Sequence, residues 1–309
     1  MSDEDYEVII VGGSYAGLSA ALTLGRSLRK VLVIDKGEPC NRFTPHSHNF
    51  LTRDGQAPED ISKRAVSDVL KYETVRLIND YAVEAVVLDQ GFSIVTDSGS
   101  HYTSQKLVLA TGLKDILPEI NGFAECWGKS IVHCPYCHGY EEKGRSTGIL
   151  ANGEGAMHYA PLVKNLTGEL TIFTNGKAEF AQDELTLLGQ NEITIDERPL
   201  VSVQQSNGRI EALNFDDRQQ VPLEVLYCAV PFEINGRLHS LLDCELDERG
   251  LIKVDFAQKT NVKDVFACGD NSGMRSLSKA IAAGTMVGAM INFELANAKF
   301  QFPDKVLGD

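Results

Sequence analysis

The chain has 309 residues, 43% hydrophobic and 23% charged, an ordinary globular composition with length for two domains. Its formal net charge of −14 repels phosphate backbones and anionic bilayers, so neither nucleic acid nor a membrane is an expected partner. The opening MSDEDYEVII lacks the basic start and long apolar run of a secretory signal, and the longest uncharged apolar stretch, Ala280 to Phe293, falls short of the ~20 residues of a membrane span. The expectation is a cytoplasmic protein, where seven cysteines do not imply a disulfide framework.

In chain order, Tyr6–Val11 reads as a buried strand. It runs into GGSYAGLSAALTLGRSLRK, a glycine turn followed by a helix with apolar periodicity, and a second strand, VLVIDK, brings in Asp35. Strand, glycine turn, helix, strand and terminal acid form the dinucleotide-binding arrangement. Gly12 makes the tight turn, Ser14 stands where backbone must approach a pyrophosphate, and Gly17 lets helix and strand pack closely. The start of the helix faces the phosphates. Asp35 is placed to accept hydrogen bonds from ribose hydroxyls. Ser14 replaces the usual second glycine with another small residue.

Next comes KLVLATG, Lys106–Gly112, an apolar strand ending in Ala110-Thr111-Gly112. Small residues at a strand end suit close approach of a bulky ligand to backbone. HCPYCHGYE follows at 133–141, and its C-x-x-C-H has three readings: covalent haem attachment, half a zinc site, or a redox disulfide. Haem attachment belongs to exported proteins. Zinc wants a second pair of ligands, whereas Cys40, Cys126, Cys228, Cys244 and Cys268 are scattered and suit small buried hydrophobes. No metal is expected.

A second strand–turn–helix–strand unit begins at Thr147, with Ala151, Gly153 and Ala156 in the fingerprint positions. Its second strand ends in Thr174-Asn175-Gly176-Lys177, with no ribose-binding acid and a single basic residue where a 2′-phosphate wants arginines. The fold of a nucleotide unit persists while its ligand chemistry is eroded. Last come NVKDVFACGD, a strand ending in Gly269-Asp270, and a helix whose Gly284-x-x-x-Gly288 reads as close helix packing in a core.

Glycine turn, Ala-Thr-Gly, Cys-x-x-Cys, second glycine turn and Phe-Ala-x-Gly-Asp, in that order over nearly the whole chain, resemble the low-molecular-weight thioredoxin reductases. GEPCNRFTPHSHNFLTRDG at 37–55 and CPYCHGYE at 134–141 are similar to a branch holding dithiol oxidases and pyridine-nucleotide-independent thioredoxin reductases. The resemblance implies an α/β chain of two Rossmann-like, three-layer ββα domains, the second inserted in the first. An FAD domain would comprise 1–115 and 235–309, and the inserted domain, 116–234, would carry the C-x-x-C and the degenerate NAD(P)-type fold.

It further implies FAD held by Gly12, Gly13, Ser14, Tyr15, Ala16 and Gly17, with Asp35 and Lys36 at the ribose. Asn41, Arg42, His48, Asn49 and Val83 would line the flavin side, along with Ala110, Thr111 and Gly112. Gly269 and Asp270 would meet the ribityl chain, and the Lys279-Ala280 backbone at a helix start the flavin ring. Cys137 would face the flavin, Cys134 would meet the external thiol or disulfide, and His138, in place of the family's acid, would carry the proton. The implied activity is FAD-dependent thiol–disulfide exchange without NADPH. The substrate would be a thioredoxin-like protein or a small dithiol or disulfide, and an electron-carrier protein or O2 would be the other electron partner. A homodimer is also implied. The alternatives are an NADPH-dependent thioredoxin-disulfide reductase, with Lys177 clamping the nucleotide, and a non-enzymatic redox sensor. The tail with Phe300 and Phe302 reads as packed or frayed rather than as an aromatic cap over the flavin.

Overall fold

The computed structural model describes residues 4–300, and the part of the tail that holds Phe302 lies outside them. The chain divides into two compact units. One comprises the described residues through Cys40, Glu59–Lys114 and those from Glu233 onward; the other comprises Asn41–Pro58 and Asp115–Phe232.

In the first unit a parallel sheet forms from Val75–Asn79, Val31–Asp35, Glu4–Val11, His101–Leu109 and Val265–Ala267, in that spatial order. The strand His101–Leu109 is shared. Its first half also pairs antiparallel with Phe92–Thr96, which extends to Ala82–Val87. Burial on both faces explains why the first strands read as unbroken apolar runs. Alternate side chains go to opposite cores: Val8, Ile10, Val31 and Val33 pack with the helical face, and Ile9, Val11, Leu32 and Ile34 with the other.

Two helices cover that helical face, Tyr15–Arg26 and Leu277–Phe300. They touch through glycine. A Cβ at Gly284 would lie 2.1 Å from Ala16 O, and one at Gly288 would lie 2.6 Å from Thr23 Cβ, so Gly284-x-x-x-Gly288 is a packing stripe within the unit. Ser19 Oγ donates to Ile281 O at 2.9 Å between the same two helices, and Arg29, just past the first helix, donates from Nε to Asn292 Oδ1 at 2.8 Å.

The second unit has a five-stranded parallel sheet in the order Ile193–Asp196, Leu170–Phe173, Thr147–Leu150, Val225–Cys228, Ile131–Val132. The helix Gly153–Lys164 packs Ala156, Tyr159, Ala160 and Val163 on one face, against Ile149, Ile172 and Tyr227. On the other face, Ile131, Phe173 and Leu226 meet Leu213 and Phe215 of a three-stranded antiparallel sheet. Helix, parallel sheet and antiparallel sheet make the expected three layers. By their contacts, residues 41–58 cluster with the second unit. Phe43 lies against Gly128, where an added Cβ would come within 3.0 Å of it, and His48 faces Glu141. Among the described residues no helix is long and apolar enough to cross a membrane.

Candidate active site

The glycine turn of the first unit is closed by contacts that leave no room for a side chain. Gly12 has φ +108°, and a Cβ there would lie 2.1 Å from Ala110 O; at Gly17 it would lie 1.8 Å from Gly12 O. Asp35 ends its strand directly behind Gly13, where a Cβ would meet its own Cβ at 2.7 Å. Ser14 caps the helix Tyr15–Arg26 without a side-chain hydrogen bond to it. The donors of that first turn, which every helix leaves without i−4 partners, are therefore not taken by the cap residue's own side chain.

Beside the turn, Thr111 Oγ1 and Leu109 O receive the Asn271 side-chain amide at 3.2 and 3.0 Å, while Asn271 Oδ1 is buried without a hydrogen-bond partner. Gly112 (φ +68°) and Gly269 (φ +93°) end their segments in the left-handed region, and Gly269 lies against Ala16. Lys36 pairs with Glu38 at 2.7 Å and stands over the Tyr81 ring, and Val83 O accepts from Arg237 Nε at 3.4 Å. At the last helix, Ala280 N–H donates to Ser276 O at 2.9 Å. The reading that stopped at Gly269-Asp270 missed Asn271, whose only signal is a polar residue next to that motif.

The second unit holds the sulfur chemistry. Cys134 caps a one-turn helix, Pro135–His138, and Pro135 at its first position pre-sets the turn. The N–H groups of Cys137 and His138 both donate to Cys134 O at 3.2 Å, which brings the two cysteines side by side, Cα to Cα 5.3 Å, and their sulfurs are bonded. Gly139 is obligatory just after: a Cβ would come within 2.4 Å of both Pro135 O and a Leu166 methyl. Tyr136 and Tyr140, 69% and 72% exposed, flank the disulfide, and the Lys143 ammonium stands 3.6 Å over the Tyr140 ring.

His138 has both ring nitrogens buried without a hydrogen-bond partner. Burial pushes its pKa below the ordinary imidazole value; the Cys134 backbone contact opposes this, His48 adds to it, and Glu141 and Glu142 oppose it. The imidazole is thus neutral near pH 7. His133, by contrast, stacks on Trp127 with centroids 5.9 Å apart and accepts the Tyr159 hydroxyl at its carbonyl, a packed position. Glu142 is buried between Arg145 and Arg209, at 3.1 and 2.6 Å. Cys126, Cys228, Cys244 and Cys268 are buried, and burial raises each thiol's pKa, to about 12 for Cys228 and Cys268. Cys40 is only partly buried and receives the Arg275 guanidinium at 3.0 Å.

The nucleotide-type turn of this unit is hydrogen-bonded to an adjoining loop of the same unit. Asn152 Oδ1 accepts from both Gly153 N and Glu179 N at 2.9 Å, and its amide donates to Lys177 O at 2.8 Å. Glu197 Oε1 takes Ala178 N at 2.6 Å. Arg198, the nearest arginine in sequence to this loop, is closed on Asp196 and on Asp217 and lies over Phe215.

A parallel-sheet fold with a glycine turn shaped for a dinucleotide, plus a bonded C-x-x-C beside a buried neutral histidine, defines a flavin disulfide oxidoreductase. The family model described as Pyridine nucleotide-disulphide oxidoreductase matches residues 6–284, and the chain belongs to that family. "Thioredoxin reductase tcpT" of Claviceps purpurea is 32% identical over 94% of each chain. "Thioredoxin reductase aclD" of Aspergillus oryzae is 32% identical over 94% of this chain and 96% of that one. The crystal structure of an oxidoreductase from Agrobacterium tumefaciens, 34% identical, superposes with a TM-score of 0.89 over 94% of this chain and 99% of that one. The chain is thus an enzyme of the thioredoxin-reductase-like class, and the cofactor of that class is FAD.

Proposed function

We propose that this enzyme exchanges electrons between bound FAD and an external dithiol or disulfide through Cys134 and Cys137, without using NADPH. The first-unit residues fit the cofactor. Gly12, Gly13, Ser14, Tyr15, Ala16 and Gly17 hold the pyrophosphate at the helix start that Ser14's side chain leaves uncapped. Asp35 and Lys36 hold the ribose, and Val83, Ala110, Thr111, Gly112, Gly269, Asp270, Lys279 and Ala280 line the remainder. Asn271 Oδ1, buried without a partner, joins them as an acceptor. Asn41, Arg42, His48 and Asn49, on the segment 41–58, are the flavin-side residues of this set. Bound FAD supplies a two-electron acceptor or donor for the cysteine pair.

In the exchange, an external thiol gives its proton to His138, and its thiolate attacks Cys134 Sγ. The Cys134–Cys137 bond breaks, Cys137 leaves as a thiolate, and it takes a proton back. The second external thiol then attacks the mixed disulfide and frees Cys134. Two electrons and two protons pass from the external dithiol to the cysteine pair, and the steps reverse for reduction of an external disulfide. A neutral, buried imidazole beside the leaving sulfur suits this proton traffic. Tyr136 and Tyr140 offer the approaching substrate, a thioredoxin-like protein or a small dithiol, an apolar surface.

One observation supports the exclusion of NADPH: Asn152 Oδ1 takes the first N–H of the helix start that a dinucleotide phosphate would need, and the same oxygen holds the Glu179 N–H of the adjoining loop. Anaerobic stopped-flow mixing tests this reading. Dithiothreitol should bleach the oxidised flavin band and NADPH should not; rapid bleaching by NADPH would establish the NADPH-dependent reductase instead.

A further inference from the structure

Asn271 has a role in the first unit beyond that of its side-chain oxygen, one that presupposes the bound FAD proposed above. The residue is wholly buried, and its backbone carbonyl accepts the Ile252 N–H at 2.8 Å. Its side-chain nitrogen reaches two atoms of the neighbouring segment, Leu109 O at 3.0 Å and Thr111 Oγ1 at 3.2 Å. A carbonyl oxygen can only accept, so the contact with Leu109 O settles which way the amide faces. The reverse orientation would set two oxygens against each other and leave buried amide hydrogens without acceptors. Leu109 O also takes the Cys268 N–H at 3.1 Å, so the end of the strand His101–Leu109 and the turn at Gly269 are stitched together at one point.

The orientation of the amide fixes that of its neighbour. A threonine hydroxyl has one proton to donate and lone pairs to accept with. With Asn271 donating to it, Thr111 Oγ1 spends a lone pair on the protein side, and its own proton cannot point back at the amide. Among the described residues no group accepts that proton. Thr111 is half-buried and stands at the glycine turn, where a Cβ on Gly12 would come within 3.1 Å of its backbone nitrogen. Gly269, from the other stitched segment, lies against Ala16 at the start of the helix Tyr15–Arg26. We propose that Asn271 is a positioning residue that turns the Thr111 hydroxyl outward, so that it donates to an acceptor atom of bound FAD. Direction passes from a carbonyl that can only accept, through an amide that donates, to a hydroxyl that donates onward. A hydroxyl that is itself accepting is the better donor, and one already held in direction has no rotation to lose on binding.

The test follows FAD release from the flavin-loaded enzyme, read as the rise of flavin fluorescence on dilution. It compares wild type, Thr111→Val, Thr111→Ser, Asn271→Asp and the double variant of Asn271→Asp with Thr111→Val. Thr111→Val keeps the shape and removes the hydroxyl, and release should quicken roughly tenfold, the worth of one hydrogen bond. Thr111→Ser keeps the hydroxyl and should stay near wild type. In Asn271→Asp the atom facing Thr111 accepts instead of donating and draws the hydroxyl inward, so release should again quicken roughly tenfold. In the double variant no hydroxyl is left to turn, and release should fall within about twofold of Thr111→Val alone. A merely structural Asn271 would add its full effect in both backgrounds. Asn271→Leu, uncharged and similar in size, carries the same comparison if Asn271→Asp does not fold. Effects that add in full would overturn the positioning role. So would Thr111→Val or Asn271→Asp releasing FAD at the wild-type rate, or Thr111→Ser releasing it as fast as Thr111→Val. Wild type that purifies without flavin and takes up none when FAD is added would overturn the cofactor assignment beneath it.

Discussion

The two strand–turn–helix units are built on one plan and end in opposite states. In the first, Ser14 begins the helix with no side-chain hydrogen bond to it, and Gly12 and Gly17 draw backbone so close that nothing larger than hydrogen fits. In the second, Asn152 caps its helix from its own side chain and also fastens the loop from Lys177 to Glu179 across the entrance. A helix start has donors to satisfy whichever way it is used. The Asn152 side chain takes one of those donors in the second unit, whereas the Ser14 side chain takes none in the first.

The sharpest way to break this comparison is Gly17→Val in the first turn. With its Cβ placed 1.8 Å from Gly12 O, the helix must shift away from the turn. Overpacking of this kind costs about 1–3 kcal/mol or more. The purified variant should be colourless and inactive, as read by its absorbance and by dithiol turnover. A yellow, active Gly17→Val would show that the turn is not the cofactor's seat.

Next in size is His138→Gln, which should lower dithiol turnover by roughly 10²–10⁴. It should also abolish the fall of activity on the acid side that protonation of a neutral imidazole produces. The same residue sets a stability trend. Its pKa is depressed in the folded chain below the ordinary imidazole value, so the unfolded chain binds more protons as pH falls through that value. Stability should therefore decline as pH drops through about 6.5, and less so in His138→Gln, measured by chemical denaturation across that window.

The smallest effect belongs to the second turn. Asn152→Ala removes a helix cap that also holds a loop, which costs about 0.5–2 kcal/mol by thermal or chemical melting. The flavin spectrum and dithiol turnover should stay as in wild type. Restored bleaching by NADPH in this variant would sharpen the comparison, since it would show that the fastened loop alone closes that entrance.

Much of this was legible beforehand because it is local. The turn at Gly12, the close approach at Gly17, the acid at Asp35 and the one-turn spacing of Cys134 and Cys137 follow from short-range geometry. The buried state of Cys126, Cys228, Cys244 and Cys268 follows from their isolation among apolar neighbours. What was hidden depends on contacts distant in sequence. Residues 41–58 carry no periodicity, so nothing signals that Phe43 packs at Gly128 or that His48 meets Glu141. Asn152 reads as one more small polar turn residue until Lys177 and Glu179 come back to it.

The central claim, that the flavin and the cysteine pair share electrons, is tested most directly by anaerobic reductive titration of the flavin-loaded enzyme. The account requires full reduction to consume two electrons for the flavin and two more for the disulfide, with the second pair absent in the Cys134→Ser, Cys137→Ser double variant. Equal uptake by wild type and the double variant, with no thiols appearing at Cys134 and Cys137, would contradict it.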